Sequence, residues 1–149
     1  TPMTDTTTPM QCPKCQAAFG PRYAVRMRDE LKVYEAALTA ERTAGVQLAP
    51  HTLEAAAVWA VLTRLEATGH GGPTPIQKLR LYDGEATEGY TAADAGRLQR
   101  ESPREGTFGI DPQYVVDRVA DAAALTRKAG EDTVHPLAVL RELGRGLDR

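Results

Sequence analysis

The chain has 149 residues, with 18 lysines and arginines against 20 aspartates and glutamates and a net charge of -2. That length suits one domain able to bury about 70% of its unfolded surface, and the balanced charge argues against nucleic acid or an anionic membrane as main partner. The longest apolar run, Ala55 to Leu62, is far short of the ~20 residues a bilayer-spanning helix needs.

The first 22 residues read as an irregular arm, Thr/Pro-rich over 1–11 and disordered there unless a partner holds it. Thr1-Pro2 reads as a remnant ahead of a gene-like start at Met3. The arm lacks the positive start and apolar stretch of an export signal, and with two cysteines in the chain the expected residence is cytoplasmic. From residue 23 to 149 the sequence reads as one helical domain. Asp29 is the expected cap of a first helix, on which Leu31, Tyr34 and Leu38 recur at helical spacing. Around it Arg22, Arg26, Arg28 and Lys32 interleave with Asp29, Glu30 and Glu35, the pattern of a solvated face.

A break over 45–50 precedes a second helix from Thr52 to about Glu66, striped by Val58, Val61, Leu62 and Leu65 and widened by Trp59 and alanines. A helix this apolar belongs at the centre of the fold. The stretch from Thr68 to Pro75 is a Gly/Pro loop. Ile76 to Tyr82 fits helix or strand, since Leu79, Leu81 and Tyr82 do not separate the two periods. Thr91 to Glu101 predicts a weaker helix carrying Ala92, Ala95 and Leu98. Asp111-Pro112 is a cap followed by the residue best suited to a first turn, predicting a helix to about Lys128 with Val115, Val119 and Ala122 inward. Pro136 opens a last helix on which Leu140, Leu143 and Leu147 align, with an end loosened by Gly144 and Gly146. The predicted fold class is all-α, a small helical bundle.

The catalytic signals are sparse. No Gly-x-x-x-x-Gly-Lys-Ser/Thr loop is present to wrap phosphates, and Gly69, Gly71 and Gly72 lack both its lysine and a preceding strand. Kinase glycine-loop, catalytic-loop and metal-loop signatures are also missing. Ser102, the single serine, precedes Pro103 in a charged loop with no histidine nearby. Cys12-Pro-Lys-Cys15 resembles half of a zinc ribbon, in which two thiolates on a tight turn supply half of a tetrahedral shell. No second such pair exists, so a closed zinc site through Cys12 and Cys15 needs two more ligands, which a second chain could supply by pooling thiolates. The alternatives are a redox pair or two thiols in a mobile arm. His51, His70 and His135 each have a local explanation, as a helix-start, loop and pre-proline residue.

Three segments, Ala49-Pro-His-Thr-Leu-Glu-Ala-Ala-Ala57, Gln77-Lys-Leu-Arg-Leu-Tyr-Asp-Gly84 and Glu105-Gly-Thr-Phe-Gly-Ile-Asp-Pro-Gln-Tyr-Val-Val-Asp-Arg118, together resemble the PrkA-type serine protein kinases. The resemblance runs from Tyr23, at what looks like the entry to a first lid helix, to Val134-His-Pro-Leu-Ala-Val-Leu-Arg-Glu-Leu143, similar to the family's helix before its kinase-like region. It implies the helical lid of an AAA+ ATPase module, with the nucleotide-binding core upstream and the kinase region downstream. In that family a Gly-Ile-x-Pro-Arg-Tyr segment places an arginine toward nucleotide phosphate. Here that position is Gln113, which donates hydrogen bonds without charge. Asp111 beside it favours the helix and repels phosphate, and Arg118 about one turn on is the candidate replacement.

Two readings follow. In the first, the chain is a lid that contributes nucleotide sensing or subunit contacts, with ATP implied for the complete module only and an AAA+ core, a kinase region or a second copy as protein partner. In the second, it is a stand-alone helical adaptor tethered by zinc through Cys12 and Cys15. Neither gives this chain a catalytic residue of its own.

Overall fold

The computed structural model describes residues 23–147 and, within the arm, Met10–Gln11 and Ala18–Phe19. Those two dipeptides, β1 (Met10–Gln11) and β2 (Ala18–Phe19), pair antiparallel with Met10 opposite Phe19. Six helices follow among the described residues: α1 (Met27–Ala37), α2 (Thr52–Leu62), α3 (Pro75–Tyr82), α4 (Asp94–Glu101), α5 (Pro112–Lys128) and α6 (Pro136–Arg145). The mainly helical class expected from the sequence is what the chain adopts. Neither the β1–β2 pair nor a second one was expected, the second being a parallel pair of two-residue strands, β3 (Gln47–Leu48) and β4 (Thr133–Val134). Strands this short carry no alternation to read.

α1 begins before Asp29. Arg26, extended and without a side-chain cap, precedes it, and Asp29 and Glu30 fall inside the first turn, where negative charge suits the helix dipole. The chain then turns through Ala44 and Gly45, both at positive φ, into β3. α2 starts just after β3, at His51 in the left-handed region with φ 66°, and the Thr52 hydroxyl donates to the Val134 carbonyl at 3.3 Å. Its Ala56, Ala57 and Ala60 are fully buried, and such small side chains let neighbouring helices approach closely.

α2 stops at Leu62 and does not reach Glu66. The Thr63 hydroxyl donates back to the Ala60 carbonyl at 2.6 Å, and Arg64 leaves the helical path with its side chain turned inward. α3 resolves the helix-or-strand ambiguity as a helix. Thr74 caps it, Pro75 is its first residue, and Gln77 reaches back to the Thr74 N–H at 2.9 Å to complete a capping box. α4 starts at Asp94, whose carboxylate accepts from the Thr91 N–H at 2.8 Å, so Thr91 stays outside. α5 starts and ends where expected, with Asp111 accepting from the Gln113 N–H at 2.7 Å. On α6, Leu143 is buried, but Leu147 lies past the helix end and is 53% exposed, so the expected stripe stops short.

Two hydrophobic clusters result. The larger joins α1, α2, α5 and α6 through Tyr34, the α2 alanines, Val115, Val119, Val139 and Leu143. The smaller gathers Val61, Leu65, Leu79, Leu81, Tyr82 and Leu98 from the end of α2, α3 and α4. α2 therefore feeds both, as its apolar sequence requires. Each fully buried leucine or valine contributes roughly 1.5–3 kcal/mol. Among the described residues, no helix is long and apolar enough to cross a membrane.

Candidate functional site

The segment from Glu105 to Arg118 is the motif that the sequence singles out, and it divides into a stretch packed against Arg64 and a helix start that exposes Asp111 and Gln113. In the first stretch Glu105 and Gly106 are buried. The Arg64 guanidinium is fully buried and forms a two-pronged pair with Glu30, at 2.6 and 2.8 Å. Its Nε and Nη2 donate to the Ile110 carbonyl at 3.1 and 2.8 Å, and Nη1 donates to the Ala24 carbonyl at 2.9 Å. All five guanidinium hydrogens are thereby used. The Tyr23 ring lies 5.1 Å from the guanidinium carbon.

Main-chain contacts fix the same stretch. Gly106 donates its N–H to the Arg64 carbonyl at 3.1 Å, and the Ile110 N–H donates to the Thr63 hydroxyl at 3.0 Å. Gly109 adopts φ +98°, and a Cβ there would sit 2.7 Å from the Thr63 carbonyl oxygen, so only glycine fits. Beside Arg64, the Tyr34 hydroxyl is buried with no hydrogen-bond partner among the described residues. Burial first, and the neighbouring Glu30 carboxylate second, push its proton affinity above the ordinary tyrosine range. Glu30 is thus no part of the solvated face expected around α1.

A second buried cluster centres on Lys78. Its ammonium pairs with the Glu105 carboxylate and also donates to the Glu66 carbonyl at 2.8 Å and the Ser102 hydroxyl at 3.0 Å. Glu105 accepts in addition from the Glu66 N–H at 3.1 Å and from the Tyr82 hydroxyl at 2.6 Å. Burial, then this bond to Glu105, raises the Tyr82 phenol above its usual range. A serine and a lysine in contact are the atoms of a nucleophile–base pair. Here the Lys78 nitrogen is held by three acceptors at once, the Glu105 carboxylate, the Glu66 carbonyl and Ser102 itself.

The exposed part begins at Asp111. Gln113 is solvent-facing, and its side-chain amide donates to Asp117 Oδ1 at 2.9 Å. Arg42, on the turn after α1, donates to the same oxygen at 2.6 Å. Arg42 first and Gln113 second hold the Asp117 carboxyl below the usual carboxylate range. Arg118 has other partners. It pairs with Asp121 at 2.9 Å and lies over the Tyr114 ring at 5.4 Å, beside Glu142 and Arg145. The two residues singled out by sequence, Gln113 and Arg118, therefore share no hydrogen-bond partner, and the cation joined to Gln113 through Asp117 is Arg42. Sequence reading missed Arg42 because nothing local links a turn after α1 to α5.

Cys12 and Cys15 lie outside the described residues. Among the described residues, no three histidine, cysteine or carboxylate side chains are grouped to hold a metal ion. His51 pairs with Glu54 at 2.7 Å. His70 and the Gly69–Gly72 loop line an open cleft with Tyr90, Arg97 and Glu101, and Arg97 is already paired to Glu101 at 3.2 Å.

Two family models match the chain, the PrkA AAA domain over residues 19–71 and the PrkA serine protein kinase C-terminal domain over residues 76–149. A curated relative, the ATP-dependent protease PrkA of Bacillus subtilis (strain 168), is 39% identical over 127 residues, covering 85% of this chain and 20% of the relative. The chain thus spans about a fifth of that relative's length. No solved structure matches.

Proposed function

Because this chain belongs to the PrkA family, we propose that it serves as the helical lid-like portion of a PrkA-type ATP-dependent enzyme. In this reading it contributes nucleotide sensing or subunit contacts, and the bond-breaking chemistry lies elsewhere in the enzyme. The descriptions of its relatives name a serine protein kinase and an ATP-dependent protease. A lid serves either chemistry, since both draw on nucleotide.

The observation that carries the reading is the contrast along one motif. Within residues 105–110, the Glu105 carboxylate and the Ile110 carbonyl are committed to the buried Lys78, Tyr82 and Arg64. The first turn of α5, held in place by those contacts, presents Gln113 to solvent together with Arg42 and Asp117. Arg42 brings to that turn the positive charge that residue 113 lacks. Asp117 and Asp111 oppose an anion there, so the isolated chain is expected to bind ATP weakly or not at all. Micromolar affinity by calorimetry would contradict this.

The reading is tested in a chimera in which residues 23–147 replace the matching part of the Bacillus subtilis relative. ATP turnover should survive, fall at least several-fold with Arg42→Ala, and rise or hold with Gln113→Arg. Turnover indifferent to both substitutions in folded chimeras would remove the nucleotide-facing role. In the isolated chain, Gln113→Arg should leave the melting temperature within about 2 °C, because exposed sites typically change stability by under ~0.5 kcal/mol.

A further inference from the structure

The two family models divide the chain between residues 71 and 76. We infer that this division is not a structural one, and that residues 23–147 fold and move as a single body in which loop 68–74 is a connection and not a hinge.

The buried charges carry the argument. Each segment supplies one buried ion pair, and the main chain of the other segment completes it. Glu30 and Arg64 both belong to the AAA-matched segment, and the Ile110 carbonyl of the other segment takes two of the guanidinium's hydrogen bonds. Lys78 and Glu105 both belong to the C-terminal-domain segment, and Glu66 of the AAA-matched segment supplies a carbonyl to the one and an N–H to the other. Parting the segments would leave two buried ion pairs short of partners at once, a heavily disfavoured state. Reciprocity of this kind gives neither segment a finished interior of its own.

Three further contacts cross the same division. β3 from one segment pairs with β4 from the other, with Gln47 opposite Thr133. Trp59 on α2 stacks on Tyr114 of α5, with centroids 6.5 Å apart and planes at 27°. Both hydrophobic clusters draw residues from both sides. The loop itself closes locally, the Thr68 hydroxyl donating to the Pro73 carbonyl at 2.7 Å and the Gly72 N–H to the Gly69 carbonyl at 3.1 Å. Its ends are thereby tied together, and at its tip the Gly71 carbonyl accepts from the Tyr90 hydroxyl at 3.3 Å. If the lid reading holds, a rotation begun at the AAA-matched segment reaches α6 without slack.

The test is to insert a protease recognition sequence between Gly71 and Gly72, cut the purified chain, and unfold it in denaturant. Trp59, the single tryptophan, reports on one fragment by fluorescence, and far-ultraviolet circular dichroism reports on both. The expected result is one particle on size exclusion at micromolar concentration, with both signals lost at the same midpoint. Fragments that separate, or signals with two distinct midpoints, would overturn the inference. In the uncut chain, Lys78→Met should move both midpoints down together, and a shift in the helical signal with the Trp59 signal unmoved would also overturn it. None of these readouts involves nucleotide, so an intact cut particle alongside an ATP-indifferent chimera would count against the lid reading alone.

Discussion

Residues 105–110 and residues 111–118 are consecutive pieces of one motif, yet physics holds them for opposite reasons. The first piece is defined by what it buries. Glu105 closes on Lys78 and Tyr82, Ile110 offers its carbonyl to Arg64, and Gly109 passes against Thr63 where no side chain fits. The second sends Val115 and Val116 into the core and shows to solvent a capped helix start bearing Gln113, with an exposed network through Asp117 and Arg42. One motif can therefore be a structural clasp and an exposed surface in succession, and Gln113 belongs to the exposed part.

If that division is right, changes in the clasp should destabilise the protein more than changes on the helix start. The largest effect is expected from Arg64→Met, which leaves the Glu30 carboxyl without its partner in the interior. It should cost about 3–5 kcal/mol in denaturant unfolding, and removing both charges by Glu30→Met with Arg64→Met should recover part of that loss. A single mutant within 1 kcal/mol of wild type, on the scale of an exposed pair, would mean that the pair is not buried in solution. Gly109→Ala comes next, at about 2–3 kcal/mol, because it combines a left-handed backbone with a clash against a carbonyl. An unchanged midpoint would refute the close approach to Thr63.

Asp111→Ala should cost about 1 kcal/mol by removing the α5 cap, measured the same way. The smallest effect belongs to Asp117→Asn, since Asp117 is 46% exposed and its ion pair is screened by solvent. Its sign is fixed by its lowered proton affinity. The folded protein keeps Asp117 ionised at acidities where the unfolded chain has already taken up a proton, so its contribution is present above the unfolded carboxylate range and fades as pH falls through the lowered folded value. The small gap between wild type and variant should thus be widest near neutrality and close on acidification. A gap that does not depend on pH would dissolve the Asp117 network as a feature of the folded state.

Much of the fold was legible because its signals are local. Asp111-Pro112 and Pro136 mark helix starts by chemistry that needs no distant partner, and α5 occupies the range expected of it. Thr74-Pro75-Ile-Gln77 also spelled a capping box that periodicity alone overlooked in leaving α3 ambiguous. What failed was non-local. The apolar spacing runs on through Leu65, so nothing nearby shows that the chain must leave the helix for Arg64 to reach Glu30, 34 positions earlier. Arg42 and Gln113 are likewise joined only through a carboxylate on α5, and β3 meets a strand that no repeat announces.

The Arg64–Ile110 contacts span 46 positions of the chain, and that separation has a meaning during synthesis. At about 5–20 residues per second, the ribosome delivers Ile110 roughly 2–9 s after Arg64. For that interval Arg64 and Glu30 have no interior to enter, and α2 waits with its apolar faces uncovered. The uncovered interval ends only when α5 and α6 have also been made, because Val115, Val119, Val139 and Leu143 are what close over the α2 alanines.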